Sequence, residues 1–96
     1  MKLVMICYNE AIDDELMELL DAAKVLGYTK WRKVLGKGES SGPHLLSHIW
    51  PKANNVVFTV VPTEDASQVV ASVRELKGGV RGEGLKAFTW EIDEIT

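Results

Sequence analysis

Two short stretches constrain this chain more than anything else in it. LVMICY at residues 3–8 and NVVFTVV at residues 55–61 are apolar at nearly every position. A strand with one wet face alternates apolar and polar side chains, whereas a strand covered on both faces does not. Both runs therefore read as central strands of one sheet. Each is far shorter than the roughly 20 residues that cross a bilayer, so protein must bury them. A chain of 96 residues offers one domain, 1–96, with one core.

The segments around these runs complete the architecture. In DDELMELLDAAKVLGY the set Leu16, Leu19, Leu20, Ala23 and Leu26 recurs at three and four residues, which predicts a helix with Asp13 as its cap and Gly27 as its stop. TEDASQVVASVRELKGG predicts a second. Asp65 and Gln68 have capping-box spacing, Ala66, Val69, Val70, Val73 and Leu76 share a face, and Gly78 and Gly79 end it. YTKWRKVL at 28–35 mixes aromatic, β-branched and basic residues, as an edge strand does. After the glycine-punctuated VRGEGL at 80–85, KAFTWEI at 86–92 alternates as a last strand. The order β-α-β-β-α-β with right-handed crossovers gives an α+β, ferredoxin-like sandwich: a four-stranded antiparallel sheet, two helices on one face, and a long loop between strands 2 and 3.

Two helices cover one face, yet the central strands are apolar on both. Val4 and Ile6 oppose Leu3, Met5 and Cys7, and Val57 and Thr59 oppose Val56, Phe58 and Val60. A second copy of the chain is the expected cover for the other face, so a homo-oligomer is predicted.

A net charge of −3 argues against nucleic-acid binding, but charge is segregated. Residues 9–21 hold Glu10, Asp13, Asp14, Glu15, Glu18 and Asp21 without a base, while 30–52 hold Lys30, Arg32, Lys33, Lys37 and Lys52 against Glu39. This fits a solvated helix face and a charged edge strand, or a local anion site. Met1-Lys2 and the short run after it lack the features of a secretory signal, so a cytoplasmic protein without membrane insertion is expected. The single cysteine, Cys7, has no partner for an intramolecular disulfide and reads as a small buried side chain. Asp13 and Asp14 read as helix-start residues, and no nucleophile and base have supporting spacing; enzymatic activity is not expected.

The interruption at residues 38–54 is too long for a simple connection and too apolar for a linker, with Leu45, Leu46, Ile49 and Trp50 in need of a partner. Gly36, Gly38 and Gly42 with Ser40, Ser41 and Lys37 can direct backbone amides, hydroxyls and charge at an anion. GKGESSG is nevertheless neither a Walker motif nor GxGxxG. His44 and His48 are four apart and on a helix would share a face toward one transition metal, although no glutamate follows His44 as it would in a metalloprotease helix.

With VLGKG ending the second strand, a long loop before the third, and GEGLKAF leading into the fourth, the chain resembles the PII nitrogen-regulatory superfamily over nearly its whole length. That family places G-x-G at the base of a long effector loop, the T-loop, and a glycine-rich B-loop, G-D-G-K-I-F, before the last strand. Gly36-Lys37-Gly38 matches the first and Gly82-Glu83-Gly84-Leu85-Lys86-Ala87-Phe88 the second, with one extra residue. The resemblance implies a homotrimer with inward-facing sheets and a small effector, an adenine nucleotide, in clefts between subunits. Through its T-loop such a protein regulates a protein partner such as a membrane transporter. Carried onto this chain, Gly36, Lys37, Gly38, Arg81, Gly82, Glu83, Gly84 and Lys86 form the ligand site. Glu39, Ser40, Ser41, Gly42, Pro43 and Trp50 belong to the effector loop.

Three features depart from the family pattern. The sequence runs to Thr96 without the family's arginine-bearing C-terminal segment, Glu83 adds negative charge to the anion site, and the loop lacks tyrosine, Tyr8 and Tyr28 being the only two. The uridylylation switch is therefore not expected. The alternative is a trimer that binds a divalent metal through His44 and His48, similar to the CutA-like or efflux-associated proteins, although the CutA-like cysteine motifs are not matched.

Overall fold

The structure, a computed structural model, describes residues 1–36, 52–79 and 84–96. Four strands, β1 (Lys2–Asn9), β2 (Thr29–Gly36), β3 (Lys52–Val61) and β4 (Leu85–Glu91), form one antiparallel sheet in the order β2-β3-β1-β4. Helix α1 (Asp13–Ala22) follows β1 through a 3-10 turn at Glu10–Ile12, and α2 (Thr63–Gly79) joins β3 to β4. This is the expected ferredoxin-like sandwich. The two continuous apolar runs are central and the two mixed strands are edges.

Burial alternates along β1. Val4, Ile6 and Tyr8 are fully buried beneath the helices, alongside Val57 and Val61 of β3 and Leu85 of β4. Leu16 and Leu20 of α1 and Ala66, Val69 and Val73 of α2 close this core. At roughly 1.5–3 kcal/mol for each large side chain removed from water, this single layer between helices and sheet dominates the fold's stability.

Residues of opposite parity form the second face of the sheet. Leu3, Met5 and Cys7 of β1 pair with Val60, Phe58 and Val56 of β3 and with Trp90, Phe88 and Lys86 of β4. Trp31 of β2 lies opposite Val56 and packs on Phe58 with ring centroids 5.2 Å apart. Trp31, Phe88 and Trp90 are about half exposed, and among the described residues no element covers this face.

Several expectations are corrected at element ends. Helix α1 stops at Ala22, before Gly27, because Lys24 takes the left-handed conformation (φ 62°). Its N–H donates to the Asp21 carbonyl and that of Val25 to the Leu20 carbonyl, both at 3.0 Å, which is a Schellman stop. Val25 then joins the core, and Leu26, expected on the helix's apolar stripe, is 96% exposed. Asp13 caps nothing: Asn9 caps the preceding 3-10 turn, its side chain accepting from the Ala11 N–H at 2.8 Å.

Helix α2 spans the expected Thr63–Gly79, but the Ala66 N–H donates to the Pro62 carbonyl, so Asp65 lies within the first turn and the Asp65/Gln68 box does not form. Strand β3 starts at Lys52, so residues 52–54 of the expected loop are strand. At the other end of the sheet the Ile92 N–H donates to the Met1 carbonyl at 3.2 Å. No helix among the described residues is long and apolar enough to cross a membrane.

Candidate functional site

The two described glycines of the motifs singled out in the sequence, Gly36 and Gly84, lie at one end of the sheet. Gly36 is the last residue of β2 and stands opposite Lys52. A Cβ placed on it would come within 2.7 Å of Asn54 Nδ2, so the absence of a side chain allows the close approach. Gly84 enters β4 with φ 70°, a conformation glycine adopts without strain, and its carbonyl accepts the Asn9 N–H at 3.0 Å. Asn9 and Asn54 are cross-strand partners in the two central strands. One row, Gly36, Asn54, Asn9 and Gly84, thus crosses the sheet end. Asn54 Oδ1 within it is buried and takes no hydrogen bond among the described residues.

The two glycines nevertheless occupy opposite edges. Three strand spacings separate them, roughly 14 Å, so they do not converge on one ligand within a single chain. Lys86 lies opposite Cys7 and is exposed on the uncovered face, one residue pair inward from Tyr8 and Leu85. Cys7, expected as a small buried side chain, is instead only partly buried on this same face, and its partial burial pushes the thiol up and keeps it protonated at neutral pH. Lys37, Gly38, Glu39, Ser40, Ser41, Gly42, Pro43, His44, His48, Trp50, Arg81, Gly82 and Glu83 lie outside the described residues.

Beneath the row is a polar hub that the sequence did not disclose. Asp13 Oδ1 accepts from the Tyr8 hydroxyl at 2.6 Å, from Lys30 Nζ at 3.0 Å and from Asn55 Nδ2 at 3.2 Å; Lys30 also reaches Oδ2 at 3.1 Å. Burial draws the Asp13 carboxyl toward its neutral form, but the hydrogen bonds from Tyr8, Lys30 and Asn55 outweigh it and hold the group below the ordinary carboxylate range. Tyr8 moves the other way, its hydroxyl held protonated by burial and by its bond to Asp13.

The hub also holds an irregular strand. Trp31 pairs with Val56 and Val34 with Asn54, so Arg32 and Lys33 together oppose Asn55, a β-bulge. Lys33 takes φ 58°, which costs a residue with a side chain about 1 kcal/mol. Its N–H donates to Asn55 Oδ1 at 3.1 Å and its Nζ meets Glu10 Oε1 at 3.0 Å. Asn55 is 2% exposed and spends both ends of its amide on these contacts. An asparagine pair heading an apolar strand, as Asn54-Asn55 does, was the one available signal of the hub.

Comparison with known proteins comes from two directions. The family model described as Nitrogen regulatory protein P-II matches residues 1–96. Among solved structures, the chain is similar to CPII, a nitrogen regulatory PII-like protein from Thiomonas intermedia K12 bound to ADP, AMP and bicarbonate, at 24% identity and TM-score 0.72, covering 95% of this chain and 88% of that one. The apo form of CPII matches at 19% identity and TM-score 0.71, with 95% and 87% covered. A putative PII-like signaling protein from Thermus thermophilus matches at 22% identity and TM-score 0.67, with 93% and 83% covered. No curated protein matches the chain.

Proposed function

Because this chain belongs to the nitrogen regulatory protein P-II family, we propose that it is a trimeric signalling protein that binds an adenine nucleotide in clefts between its copies. Through the segment after Gly36 it would act on a protein target such as a membrane transporter. The observation that carries this reading is the placement of Gly36 and Gly84 at the same sheet end but on opposite edge strands. One chain keeps them apart. A neighbouring copy set edge to edge would bring the β2 end of one chain to the β4 end of the next.

In such a cleft Gly84, with Gly82 and Arg81 preceding it, lets backbone amides approach phosphate oxygens without a Cβ in the way. Lys86 supplies the compensating charge from the same edge, as a charge-assisted donor to phosphate. Gly36, Lys37 and Gly38 line the other side, and Glu83 tunes the charge of the site. The ADP and AMP bound by CPII support an adenine nucleotide as the ligand class. The uncovered sheet face supports assembly, since its apolar side chains need a partner surface.

Calorimetry with ADP, AMP, ATP and cyclic AMP tests the reading. At least one should bind, and Lys86→Ala should weaken it about tenfold, the loss of roughly 1.4 kcal/mol expected for one charged phosphate contact. Absence of heat from all four, or unaltered affinity in Lys86→Ala, would remove the phosphate site. Heat from zinc, copper or nickel ions that disappears in His44→Ala/His48→Ala would favour the metal-binding alternative.

A further inference from the structure

The β2 bulge decides toward which face of the sheet Gly36 is turned. Side chains alternate along a strand, so inserting one residue reverses the facing of everything after it. Trp31 stands on the open face opposite Val56, and because two residues then oppose Asn55 alone, Val34 and Gly36 return to that same face. Gly36 thereby meets the Asn54 side chain. In a regular strand Val34 and Gly36 would turn toward the helices, and Leu35 would take the open face.

Nothing in the intrinsic preference of Arg32-Lys33 favours this geometry, since Lys33 is left-handed and carries a side chain. The geometry is imposed from outside β2. Asn55 Oδ1 accepts the Lys33 N–H, Asp13 fixes the Asn55 amide, Asp13 binds Lys30 just before the irregularity and Glu10 binds Lys33 within it. Asp13 and Glu10 both follow Asn9, whose own N–H is bonded to the Gly84 carbonyl.

We propose that Asp13 and Asn55 are positioning residues that lock a strained bulge in β2, so that Gly36 is turned to the open face, and that releasing this lock lets β2 slip to the unbulged register. The register half stands on the geometry alone. The functional half, that the lock sets nucleotide affinity by placing Gly36, rests on the reading proposed above.

Amide exchange and cross-strand contacts of the isotopically labelled full chain test the lock. In Asp13→Asn the Lys33 amide should exchange at least tenfold faster and the Val34–Asn54 pairing should weaken, while amides of Val57 to Val60 in the adjacent strand keep their rates. Adding Lys33→Gly, which accepts the left-handed conformation without strain, should restore the pairing. A merely structural loss would not be rescued by removing a side chain. Should Asp13→Asn not fold, Asn55→Ala keeps the Asp13–Lys30 pair and is expected to free the Lys33 amide in the same way.

Unchanged exchange at Lys33 in both variants, or a uniform rise across the sheet without rescue by Lys33→Gly, would overturn the lock. For the functional half, ADP or AMP affinity should fall about tenfold in Asp13→Asn and recover in the double variant. If the variant slips register with affinity unchanged, that half is wrong. If the unmutated chain binds neither nucleotide, the nucleotide reading fails and with it the functional half, while the lock is still judged by exchange.

Discussion

Asp13 shows how much one side chain's surroundings change its meaning. By sequence it is one of six acids between residues 9 and 21; in the fold it accepts from Tyr8, Lys30 and Asn55. Those donors hold its carboxyl below the usual range despite burial. A folded-state value lying below the unfolded one, about 3.9, means the stabilisation is complete above that pH and is lost as pH falls through the folded value. Asp13→Asn should therefore lower stability by about 1–2 kcal/mol near neutrality, since the pair is partly exposed. The gap to the unmutated chain should then narrow on acidification to about pH 3. Urea midpoints at both pH values measure this, and a gap of constant size would show that the charge of Asp13 contributes nothing.

At the level of elements, helix interiors and strand order were legible because burial imposes a period: the two uninterrupted apolar runs are central and the alternating KAFTWEI is an edge. Element ends were less legible. The stop of α1 depends on Lys24 entering the left-handed region, which no property of a lysine announces, while Gly27, the obvious candidate, has nothing within 4 Å of its would-be Cβ. Lys24→Gly should then raise stability by about 0.5–1 kcal/mol, and Gly27→Ala should be neutral or slightly stabilising. Thermal midpoints decide between these roles, the opposite ranking marking Gly27 as the true stop. The glycines of the candidate site were readable since their loops interrupt the apolar pattern. The Asp13 hub and the β2 bulge were not, because they join residues up to 42 positions apart, Asp13 to Asn55, and only the folded sheet brings these together.

For the whole molecule, the governing fact is a sheet with a finished face and an unfinished one. Leu3, Met5, Phe58, Val60, Trp31, Phe88 and Trp90 together make an apolar surface of a kind rarely left in water. Light scattering should give the mass of three copies, and the thermal midpoint should rise with protein concentration, because association stabilises the folded chain by mass action. Phe88→Glu should dissociate the assembly while preserving the helix signal in circular dichroism. A single-copy mass for the unmutated chain, or a midpoint independent of concentration, would contradict assembly through this face. The bond between Ile92 and Met1 has a practical corollary. It gathers Met1 and Ile92 on the margin of the sheet farthest from Gly36 and Gly84, about the 8-residue length of β1 away, or roughly 25 Å. Fluorescent proteins fused to either end would stand clear of the glycine margin, so paired donor and acceptor fusions could report subunit mixing without obstructing a bound ligand.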